Sequence, residues 1–143
     1  MLSKSAFVLL AMTAGLVGCN ATAPAQYSGK GGMSAYKISP DVYIHHYENG
    51  FTGSDAMGWD PNLQLAWSRF AAAKTCSVPY SPERAVAALI DKYGHDKLTH
   101  ELIGMDFHHL QSRGVPGFCS QERVAEIKTM IPAMEAGKFP KRF

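Results

Sequence analysis

Asp60-Pro61 and Ser81-Pro82-Glu83 each set a helix-capping side chain directly before a proline. The capping oxygen accepts from N–H groups that the first turn leaves without partners, and proline's fixed φ suits the first helical position. After Asp60, Leu63, Trp67 and Phe70 recur at helical spacing as far as Cys76. After Ser81 comes the stripe Val86, Leu89, Ile90 and Tyr93, and Gly94 fits a left-handed stop. A third helix is expected from about Asp96 to Ser112, with Gly114 and Pro116 beyond it. A fourth opens at Ser120 and carries Val124, Ile127, Met130 and Ile131; Pro132 kinks or ends it ahead of Gly137. Four helices with short loops predict a mainly α fold, either a small four-helix bundle or two packed helical hairpins. One short strand is expected within Tyr36–Tyr47, where Val42, Ile44 and His46 alternate with Tyr43, His45 and Tyr47 after the turn at Pro40-Asp41.

The first 19 residues have a different character. Lys4 gives a positive start, Ala6 to Leu16 is a short apolar run, and Leu16-Val17-Gly18-Cys19 closes it. A run of this length falls short of the roughly 20 residues that span a bilayer, and it suits the core of a signal peptide. The closing tetrapeptide resembles the lipobox of bacterial lipoproteins. The resemblance covers the leader alone. It implies cleavage before Cys19, a diacylglyceryl thioether on Cys19 and acylation of the new amine. Asn20 rather than Asp follows, which in that family points to the outer membrane, facing the periplasm. Residues 1–18 are therefore expected to be a signal peptide, 19–35 a lipidated flexible tether rich in Ala, Gly, Ser and Thr, and 36–143 a single helical domain.

With Cys19 assigned to lipid, Cys76 and Cys119 are left in an exported, oxidising setting. A disulfide between them is expected, closing a loop of about 43 residues. Two free thiols are the alternative, and metal ligation lacks both a C-x-x-C spacing and a third sulfur.

Six histidines lie at His45-His46, His95 with His100, and His108-His109. His100-Glu101 begins like a zinc-protease helix, but that motif needs a second histidine four residues on, and position 104 is Gly. His108 lies eight residues on, about 12 Å along a helix. On a helical wheel Leu98, Leu102, Met105 and His109 share one face, and Ile103, Phe107 and Leu110 form a second apolar stripe. His100, Gly104, His108 and Gln111 take the polar side, and Asp106 falls between the stripes, where partial burial is expected. A glycine between exposed histidines admits a close backbone. His100, Gly104 and His108, with Trp59 in the turn-rich stretch before the first helix, thus make a candidate binding surface. No catalytic residues, metal site or cofactor fingerprint stand out.

A net charge of +2 gives no basic face for nucleic acid. Two classes of function follow. The first is a membrane-tethered envelope lipoprotein that serves as a binding, assembly or inhibitor module for an envelope protein or peptide. The second is a histidine-metal-dependent hydrolase in the envelope, which requires the histidines to converge.

Overall fold

The computed structural model describes residues 26–140. Among them are six α-helices, one 3-10 turn and no strand. Helix α2 (Pro61–Thr75) is the centre of the packing. Asp60 caps it through Oδ1, which accepts from Asn62 N at 2.9 Å and Leu63 N at 3.1 Å. Its buried residues run almost around the helix, including Leu63, Gln64, Trp67, Arg69 and Phe70. A helix buried on most sides belongs in the middle of a domain, and α2 meets α5, α6 and α3.

Helix α1 (Pro40–Asn49) stands where a strand is expected. Pro40 occupies the first turn with Asp41 beside it, and Gly50 stops the helix at φ +104°. The buried residues are Val42, Tyr43, His46 and Tyr47, a spacing of one and four that only a helix brings to one face. The alternation of β-branched and aromatic residues is incidental to this helical pattern.

Helix α3 (Pro82–Tyr93) starts and stops as its punctuation predicts, with Ser81 Oγ accepting from Arg84 N. Its buried face is Ala85, Ala88 and Leu89, while Val86 and Ile90 of the expected stripe face outward. The expected third helix is broken into α4 (His95–His100) and α5 (Gly104–Arg113). Two buried contacts hold the break. Glu101 accepts the Asp60 N–H at 2.7 Å, and Gly104 lies against the indole of Trp67. Helix α6 (Gln121–Glu135) is capped by Ser120 and runs through Pro132, extending to Glu135 before Gly137 turns left-handed.

Cys76 and Cys119 form the expected disulfide, with Cα atoms 5.4 Å apart. It ties the end of α2 to the start of α6 and encloses α3, α4 and α5 in the loop.

The stretch from Tyr27 to Met33, which composition marks as tether, is packed as a strap. Tyr27 donates its hydroxyl proton to the Gly31 carbonyl and lies 2.9 Å from His46 Nε2. Asp55, in the 3-10 turn Gly53–Ala56, accepts from Gly31 N at 3.0 Å and Met33 N at 3.4 Å. Met33 is buried in the core. Gly/Ser-rich composition predicts flexibility only where nothing holds the backbone N–H groups, and here the Asp55 carboxylate holds two.

Candidate functional site

The histidines do not converge. His45 and His46 are on α1, His95 and His100 on α4, and His108 and His109 on α5. Among the described residues no three His, Cys, Asp or Glu side chains form a group able to hold a metal ion.

His108, placed on the polar side of the wheel, is fully buried. Its Nδ1 lies 3.1 Å from the Tyr43 hydroxyl, which also reaches the His108 carbonyl at 3.2 Å. Phe51 meets the ring edge to face at 4.9 Å. Desolvation, with the Arg69 charge as a lesser cause, pushes its pKa down to about 3, so the ring is a neutral core element at ordinary pH. Gly104 is buried as well, and a Cβ there would meet Trp67 Cδ1 at 2.3 Å. The close approach that glycine permits is used inside the molecule. Neither residue belongs to a binding surface: Gly104, His108 and Ser112 form the buried face of α5, turned toward Trp67 of α2 and Tyr43 of α1.

The other two candidates are accessible. His100 is exposed at the end of α4. Trp59 is half-buried and meets the Phe107 ring edge to face at 5.5 Å. Between them in the fold lies an apolar corner where α4 turns into α5, with Leu102 71% and Ile103 64% exposed. Ile103 continues along α5 to Phe107 and to Leu110, which is 54% exposed. Phe107 itself is half-buried against the core, between the exposed Ile103 and Leu110. An apolar cleft of about 540 Å³ adjoins its C-terminal half, between α5 and residues 33–38. Adjacent exposed apolar side chains of this kind are a feature of interaction surfaces.

Asp106, expected to be partly buried, points outward and pairs with Lys74 at 3.3 Å. His109 is half-buried on Thr75 Oγ1 at 2.9 Å. Arg69 and Glu101 are buried charges outside the candidate surface. Arg69 is buried with its guanidinium 3.7 Å from the centre of the Tyr47 ring and donates to Ser68 Oγ. Glu101 is buried at the α4–α5 break, where desolvation raises its pKa. Arg69 falls three positions from Ala66 and Ala72, and that helical spacing on an otherwise buried helix was the available clue. Cys19 lies outside the described residues.

No family model matches the chain, and no curated protein or solved structure matches it.

Proposed function

We propose that this protein is a bacterial envelope lipoprotein, anchored through lipid on Cys19 in the outer membrane and facing the periplasm, whose helical domain is a binding or assembly module for an envelope protein or peptide. The observation that carries the binding role is the apolar corner of Leu102 and Ile103, continued by Phe107 and flanked by Trp59 and His100. Leu102 and Ile103 are open to solvent on a turn that the Glu101–Asp60 hydrogen bond and the Gly104–Trp67 contact hold in place, which favours a preorganised contact face. The lipobox-like Leu16-Val17-Gly18-Cys19 supports the anchor, and the Cys76–Cys119 disulfide accords with an exported chain. A histidine-metal hydrolase needs ligands on one point, and no such geometry favours it.

The test uses the lipidated chain as bait in an envelope extract, beside a Leu102→Asp/Ile103→Asp double variant. Both side chains are exposed, so the variant should keep the wild-type Tm. A protein held by the wild type and lost from the variant supports the reading. Equal capture by both removes the corner from the function. Incorporation of radiolabelled palmitate, abolished by Cys19→Ala, tests the anchor separately.

A further inference from the structure

We infer that residues 27–38 dock on the anionic lipid surface to which the chain is anchored, so that the strap sets the orientation of the domain on its membrane; this rests on the lipid anchor proposed above. The strap is a membrane-facing edge by three independent features. The first is charge. Residues 26–38 carry Lys30 and Lys37 and no carboxylate, and both lysines are exposed. The carboxylate of Asp55 meets the strap from its inner, buried side and is taken up by Gly31 N and Met33 N. Asp41, exposed at the start of α1, is held by the Ser39 hydroxyl at 2.6 Å.

The second feature is the aromatic and apolar composition of the same edge. Tyr36 is fully exposed beside Lys37, and an amphipathic ring next to a lysine suits the headgroup layer. Met33, Tyr36 and Ile38 form one wall of the apolar cleft that Phe107 and Leu110 close from α5. Leu110 sits at the far end of α5 from the Ile103 corner, about 10 Å away along the axis. The membrane edge and the partner corner are therefore adjacent, with Phe107 between them.

The third is chain length. Seven peptide steps separate Cys19 from Gln26, a reach of at most about 25 Å when fully extended. Because Tyr27, Gly31 and Met33 are pinned to His46 and Asp55, that short reach limits the whole domain. The bilayer is the surface presented to the strap at the highest effective concentration. The lipid on Cys19 holds the chain at the bilayer, and the exposed Lys30, Tyr36 and Lys37 add a local contact that orients the domain on it.

The experiment places the acylated full chain in phosphatidylcholine vesicles, with and without phosphatidylglycerol, and follows backbone hydrogen exchange in residues 27–38. Intact mass reads acylation of Cys19 in the same sample. Exchange in the strap is expected to slow at least roughly fivefold on the anionic vesicles, the factor one lysine contributes near such a surface. Lys30→Ser/Tyr36→Ser/Lys37→Ser should abolish the slowing while flotation with the vesicles persists. Acylated protein with equal exchange on both vesicles overturns the docking and leaves the anchor standing, and so does slowing that the triple variant retains. Slowing that grows with protein density assigns the edge to a second copy and overturns it too. An unacylated mass overturns the anchor and the docking together.

Discussion

The backbone of Gly104 rests on the indole of Trp67 so closely that a single added carbon would sit 2.3 Å from Cδ1 and 2.6 Å from Nε1. Neither partner can yield. Trp67 is buried in the core, and Gly104 opens α5 where α5 packs on α2. Gly104→Ala should therefore destabilise the fold by about 2–3 kcal/mol, the cost of overpacking a well-filled core, despite alanine's better helix propensity. Urea denaturation checks this. A variant as stable as the wild type would show that α5 can move off the tryptophan.

His108 predicts an acid sensitivity whose sign follows from its burial. Its folded pKa lies near 3 and its unfolded pKa near 6.5. At pH 7 the ring is neutral in both states, and its contribution to stability is fully present. Between about pH 6.5 and 3 the unfolded chain binds a proton that the folded chain refuses, so stability falls by up to about 1.4 kcal/mol per pH unit. His108→Phe keeps a ring of similar size and removes the titration. Its stability should vary less between pH 6 and pH 4 than the wild type's, whatever its value at pH 7. Parallel curves for the two proteins would rule out a buried neutral imidazole.

The helix starts at Asp60, Ser81 and Ser120 were legible because capping chemistry is local: each Asp or Ser bonds N–H groups two or three residues along. The break between α4 and α5 was not, because its causes are contacts across space. Gly104 answers to Trp67, 37 positions earlier, and Glu101 to Asp60, 41 earlier. The Tyr36–Tyr47 segment carries two periods at once, and the Pro40-Asp41 start favours the helical one. Of the candidate surface, His100 is exposed and Trp59 half-buried, while His108 and Gly104 lie on the buried face of α5, which Trp67 and Tyr43 cover from distant parts of the chain. The strap was invisible to composition, since the carboxylate that orders it lies 22 to 24 residues downstream.

Asp55 should be the latch of that strap. Its two oxygens accept from Gly31 N and Met33 N, and Oδ2 lies 3.6 Å from His46 Nε2. Asp55→Asn keeps the shape but replaces one acceptor with a donor facing N–H groups. Lys30 is exposed within the strap and offers a tryptic site. Cleavage after Lys30 under limiting trypsin should accelerate roughly tenfold, corresponding to about 1.4 kcal/mol easier local opening. Unchanged cleavage would mean that Met33 burial alone holds the segment.

The Cys76–Cys119 bond should act as a clamp on the unfolded chain more than as a contact in the folded one. It spans 43 positions and encloses α3, α4 and α5. The chain-entropy treatment assigns such a loop roughly 4 kcal/mol, with less commonly realised in practice. Cys119 is exposed and Cys76 half-buried, so replacing either thiol with a hydroxyl removes little packing. Cys76→Ser and Cys119→Ser should therefore lower Tm by nearly the same amount, and the double variant should lose no more than either single one. Reductant should shift the wild type to the same Tm and leave the variants unmoved. Unequal single variants would place part of the effect in side-chain packing, and additive losses would contradict a shared bond.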